Sequence, residues 1–167
     1  MRSPFSTRML HMEIQSLFVY GSLKRGFLRE ATWPHRPFHV QAGYIHAQLF
    51  DLGPYPAVVL SIGSDSRNDC VLGEVWMIAP EHLAKTLQVL DNVEGFVLHR
   101  DDNEYLRKVT EVTLDSGNRI QAFVYEYASR DRLTQCRRIV ANATFGSVEC
   151  AAWPDSLARV PQSFEDE

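Results

Sequence analysis

Short β-prone runs follow one another along this chain, each cut off by glycine, proline or a polar turn. Ile14 to Tyr20, Gln41 to Leu52, Ala57 to Ser61, Val71 to Ile78, Tyr105 to Leu114 and Arg119 to Ala128 are rich in β-branched, aromatic and other apolar residues. Gly21 with Ser22 to Gly26, Gly53-Pro54-Tyr55-Pro56, Ile62 to Asn68 and Asp115-Ser116-Gly117-Asn118 supply the turns. Trp33-Pro34 and Arg36-Pro37 keep helix and central strand out of Thr32 to His39. One stretch has a firm helical period. Ala79-Pro80-Glu81 opens it, Leu83, Leu87, Leu90 and Val93 share its face, and Gly95 ends it. Ser129 caps a second, short helix running through Val140, with Leu133, Cys136 and Val140 on one face. Past Asn142 no period is visible. Strands that mostly follow strands predict an α+β fold: a mixed, mostly antiparallel, barrel-like sheet with one or two packed helices, rather than an alternating Rossmann arrangement.

A length of 167 residues suits one domain over 1–167, with a core over about 14–140 and flexible tails at 1–12 and 160–167. The net charge of −4 and a pI near 5.9 argue against a nucleic-acid partner. The basic pairs Lys24-Arg25 and Arg137-Arg138 are too short to alter that and read as solvated surface charge. Three cysteines, Cys70, Cys136 and Cys150, are too few and too widely spaced for a disulfide framework and fit a reducing compartment. Met1 to Glu13 lacks the apolar core of a secretory signal, and no run approaches the length of a membrane span. The expected location is the cytoplasm.

Few residues offer chemistry. The six histidines make no ligand spacing, so no metal site is expected. No serine sits in a GxSxG elbow. Trp33, Trp76 and Trp153 read as packing residues rather than a base-stacking platform. Glu94 stands out. It ends the firm helix between apolar Val93 and Phe96, where desolvation and the negative end of the helix both favour the neutral acid. A carboxyl whose pKa approaches the working pH suits a general base. The commoner fate of such a residue is a solvated carboxylate in a helix-ending turn. The second feature is Tyr20-Gly21-Ser22-Leu23. A glycine just after a strand lets backbone approach a ligand, and successive N–H groups in such a turn can hold an anion. Alone, it also reads as a plain strand-ending turn.

Five ordered segments resemble the γ-glutamylcyclotransferase-like family, which includes the AIG2-like and γ-glutamylamine cyclotransferase proteins. Phe18-Val19-Tyr20-Gly21-Ser22-Leu23-Lys24-Arg25-Gly26 resembles the family's VYG[ST]L-x-x-G opening. Leu52-Gly53-Pro54-Tyr55-Pro56-Ala57 is similar to its glycine turn before Pro-Ala, and Val71-Leu72-Gly73-Glu74-Val75 to its V-x-G-E-[VL] strand. Leu90-Asp91-Asn92-Val93-Glu94-Gly95 resembles LDxxEG, and Tyr105-Leu106-Arg107 the YxR that follows. The segment joining these last two is longer than the family's usual spacer.

The resemblance implies a small mixed barrel with a central cavity and a γ-glutamyl small-molecule substrate. It implies release of 5-oxoproline and an amine by intramolecular acyl transfer, without cofactor or metal. Carried over, Glu94 is the catalytic acid/base, and Tyr20, Gly21, Ser22 and Leu23 hold the glutamyl head group. Tyr105 and Tyr125 also contact the substrate. Two other readings compete: the same cavity kept as a metabolite-binding module without turnover, and an interaction protein whose segment after Ser129 docks a partner.

Overall fold

The strand Ser16–Val19 (β1) is buried along its whole length because a strand lies on each side of it. It runs antiparallel to Cys70–Met77 (β4), with Phe18 opposite Val75. It runs parallel to Arg119–Tyr127 (β6), with Leu17 opposite Phe123. These relations come from a computed structural model that describes residues 14–27, 29–61 and 69–154. The turn expected over Ile62 to Asn68 and the tails at 1–12 and 160–167 lie outside the described residues.

β6 forms a hairpin with Tyr105–Leu114 (β5) across the Asp115–Asn118 turn. The long strand His39–Asp51 (β2) pairs with β4 through most of its length and meets the end of β5 at Gly43 and Tyr44. The ring β2-β4-β1-β6-β5 thereby closes into a mixed five-stranded barrel. The far half of β2 carries two additional partners, Pro56–Leu60 (β3) and Arg137–Ile139 (β7). Ala143–Phe145 (β8) and Val148–Cys150 (β9) make a separate hairpin, joined to the barrel where Ala151 bridges Val71.

Strand alternation divides the core. Phe18, Ile45, Val75, Val112 and Val124 pack with Trp153 in one cluster. Their sequence neighbours Leu17, Val19, Trp76 and Tyr125 point the other way and pack with Leu90. Leu90 belongs to the helix Pro80–Glu94 (α1), so the second cluster is the seam between barrel and helix. Pro80 at the first turn needs no N–H bond, as the sequence implied. Among the described residues, no helix is long and apolar enough to cross a membrane.

Two local expectations are corrected. The second helix (α2) covers only Arg130–Leu133, and Ser129 makes no capping bond with its side chain. The chain instead turns into β7, because Ile139 can fill the barrel cluster while Arg137 and Arg138 pair with Asp51 and Asp69. Lys24, read as solvated, is half-buried and donates to the Trp153 carbonyl at 2.5 Å. Its neighbour Arg25 does remain exposed. The long segment after Glu94 is clasped by Asn103, which accepts from the Val97 N–H and donates to its carbonyl, so β5 still begins at Tyr105.

Candidate active site

Where the chain leaves β1 and where α1 ends, a cavity of about 220 Å³ opens. Tyr20, Gly21, Ser22, Leu23, Glu94, Tyr105 and Tyr125 all line it, so every residue singled out from sequence reaches one space. Three segments remote in sequence carry those seven residues.

The first is the loop after β1. It turns tightly, with the Lys24 N–H on the Gly21 carbonyl and the Arg29 N–H on the Ser22 carbonyl. Trp33 Nε1 holds the Leu23 carbonyl at 3.0 Å. These carbonyls therefore have partners. Among the described residues, nothing accepts from the N–H groups of Gly21, Ser22 or Leu23. The lack of a side chain at Gly21 has a structural reason: a Cβ would lie 2.7 Å from Cγ of Pro56, the proline that starts β3.

The second segment is the end of α1. Gly95 takes φ 68°, its N–H bonds the Asn92 carbonyl, and the Phe96 N–H bonds the Asp91 carbonyl at 2.8 Å. This pair of bonds closes a helix through a left-handed glycine and fixes the last turn, which carries Glu94. The Glu94 side chain is only 10% exposed. Burial pushes its carboxyl up to about 7; the Arg29 guanidinium opposes the shift and Glu104 adds to it. Arg29 Nη1 stands 3.7 Å from Glu94 Oε1, and the guanidinium lies over the Tyr55 ring, 4.1 Å from its centroid.

The third segment is the β5–β6 hairpin. Tyr105 donates to the Pro56 carbonyl at 3.0 Å, and Tyr20 to the Tyr125 carbonyl at 2.6 Å. Tyr125 donates to Asp91 Oδ1 at 2.8 Å, and Arg107 reaches Asp91 Oδ2 at 2.6 Å. Burial raises all three phenols above the ordinary tyrosine range, so they stay protonated. Their protons are committed to holding the walls together; the Tyr20 oxygen also meets the Val58 N–H, which leaves the oxygens of Tyr105 and Tyr125 and the ring faces for a ligand.

Sequence reasoning missed Arg29, Tyr55 and Glu104 as cavity residues. Tyr55 was visible in the glycine–proline turn; Arg29 and Glu104 lie in segments without period. Asp91 and Arg107 stood inside quoted motifs but had no role, because their bond joins residues far apart in the chain.

The family profile described as "Gamma-glutamyl cyclotransferase, AIG2-like" matches residues 17–145. A protein of Methanocaldococcus jannaschii named "Putative gamma-glutamylcyclotransferase" is 30% identical over 122 residues, covering 68% of this chain and 85% of its own. The crystal structure of a mouse aig2-like protein superposes with a TM-score of 0.54 at 21% identity, covering 75% of this chain and 85% of that one. A solution structure from Arabidopsis thaliana gives 0.51 at 25% identity, over 71% and 74%. Profile, relative and barrel agree: the chain belongs to the gamma-glutamyl cyclotransferase, AIG2-like family.

Proposed function

We propose that the chain is a γ-glutamyl cyclotransferase, releasing 5-oxoproline and an amine from a γ-glutamyl substrate, with Glu94 as its single acid/base. The observation that carries this reading is a nearly buried carboxyl, pushed up to about 7 by burial, in the same cavity as a loop whose Gly21, Ser22 and Leu23 N–H groups have no acceptor among the described residues.

The Gly21, Ser22 and Leu23 N–H groups bind the glutamyl carboxylate. The α-amine is thereby fixed beside Glu94 and in line with its own γ-carbonyl. Both reacting groups belong to one molecule, so the enzyme mainly enforces a folded conformer. Glu94 takes a proton from the α-ammonium; the amine forms a C–N bond to the γ-carbon; the amide C–N bond then breaks as Glu94 returns the proton to the leaving nitrogen. The attacking nitrogen sheds two protons and the leaving nitrogen gains two, so Glu94 ferries a proton twice per turnover and ends as it began. A carboxyl near 7 accepts and gives a proton with little loss in either direction. Tyr20, Tyr105 and Tyr125 shape the walls around the glutamyl chain.

The test is 5-oxoproline release from a panel of γ-glutamyl amino acids and γ-glutamyl amines. Release is expected from the wild type and is lost in Glu94→Gln that folds normally. A folded wild type that releases none from any member overturns the proposal. A substrate that raises the melting temperature and is recovered unchanged would favour the binding-module reading.

A further inference from the structure

The Arg29 side chain has an unusual position for a guanidinium. It is 23% exposed, lines the cavity, and donates no hydrogen bond among the described residues. Its contacts are the Tyr55 ring face and Glu94 at 3.7 Å, too long for a direct hydrogen bond. Guanidinium donors form a planar fork that suits a carboxylate. The loop N–H groups already serve the carboxylate of the glutamyl half, so the fork is available to another anion.

Resting on the cyclotransferase reading, we infer that Arg29 recognises the leaving half of the substrate and selects γ-glutamyl conjugates of α-amino acids over conjugates of plain amines. The geometry is short-range. To receive its proton, the leaving nitrogen sits about 3 Å from the Glu94 carboxyl. In an α-amino acid, the carboxyl carbon lies two bonds further, about 2.5 Å from that nitrogen. A carboxylate so placed falls within the reach of a guanidinium that already stands beside Glu94. An amine without that carboxylate leaves the fork unmatched. The other charged residues lining the cavity, Glu94 and Glu104, are acidic, so among the described residues Arg29 is the cation an anion would meet there.

The deciding comparison is γ-glutamyl-alanine against γ-glutamyl-ethylamine, which differ only by the carboxylate. In the wild type, kcat/KM for the alanine conjugate is expected to exceed that for the ethylamine conjugate by about 10- to 100-fold, as for a charge-assisted bond present in one substrate alone. Arg29→Met brings the ratio close to one; any effect transmitted through Glu94 touches both conjugates and cancels. Arg29→Lys, which keeps the charge without the fork, falls between and serves if the methionine variant folds poorly. Thermal stabilisation by the same two compounds gives a readout independent of turnover. A preference for the alanine conjugate in binding without release would sink the cyclotransferase reading and keep this one. Equal wild-type values for the two conjugates, or a ratio unchanged in both Arg29 variants, overturns the role of Arg29 and leaves the activity untouched.

Discussion

The Tyr125 hydroxyl donates to Asp91 Oδ1 at 2.8 Å, joining the strand that walls the cavity to the helix turn that carries Glu94. Arg107 occupies the other Asp91 oxygen at 2.6 Å. Asp91 therefore acts as a positioning residue, locking the end of α1 onto the β5–β6 hairpin. Asp91→Ala leaves a half-buried guanidinium and a buried phenol without their acceptor. It is expected to lose about 1–3 kcal/mol in urea unfolding. Release of 5-oxoproline should fall about tenfold to a hundredfold as Glu94 drifts from the loop. Wild-type activity in a folded variant would exclude the positioning role.

Glu94 makes stability depend on pH. Its carboxyl is raised from 4.5 to about 7 by folding, chiefly through burial. The folded state therefore holds its proton more tightly than the unfolded chain. The resulting stability is complete below about pH 4.5 and is lost as pH rises through about 7. The full loss amounts to roughly 3 kcal/mol. Glu94→Gln cannot ionise, so it should be more stable than the wild type at pH 8 and nearly equal at pH 4. Denaturant melts of the two proteins at both pH values check the sign, and parallel curves would contradict the buried-carboxyl account.

Catalysis should follow the same group in the opposite sense. A base must be ionised to accept a proton, so kcat/KM is expected to climb with pH and level off past about 7. Arg29 lowers the Glu94 pKa, so Arg29→Met should move that limb to higher pH. An acid limb that stays in place in the variant would show that Arg29 does not act on Glu94.

Gly21→Ala tests the loop without touching its polar groups. The new methyl would lie 2.7 Å from Cγ and 2.9 Å from Cδ of Pro56, so loop and β3 must separate. About 1–3 kcal/mol of stability should be lost, as in overpacked cores. KM should rise as the N–H groups lose register. An unchanged melting temperature would show that the contact is easily relieved.

Much of this arrangement was legible in the sequence because it is written locally. β5 begins and ends at Tyr105 and Leu114 as its alternation predicts, and Gly95 marks the end of α1 through its left-handed conformation. The ordered motifs brought Glu94 and the Tyr20–Leu23 loop to notice together. Other features depend on partners that local pattern does not encode. Leu133, Cys136 and Val140 share a helical face in sequence, yet the edge of β2 and the carboxylates of Asp51 and Asp69 draw Arg137–Ile139 into a strand. Lys24 looks like surface charge until Trp153 arrives with a carbonyl to accept from it. Arg29 has no local signal at all, since its meaning lies in Glu94 and Tyr55.

That Lys24–Trp153 bond spans 129 positions of the chain. The loop that begins at Tyr20 is therefore fastened by a carbonyl from a remote part of the chain. Trp153 also fills the barrel cluster beside Phe18 and Val75, so the residue that fastens the loop is one the barrel interior itself needs. Fastening of the loop is thus tied to filling of the barrel interior, so losing Trp153 would loosen both together.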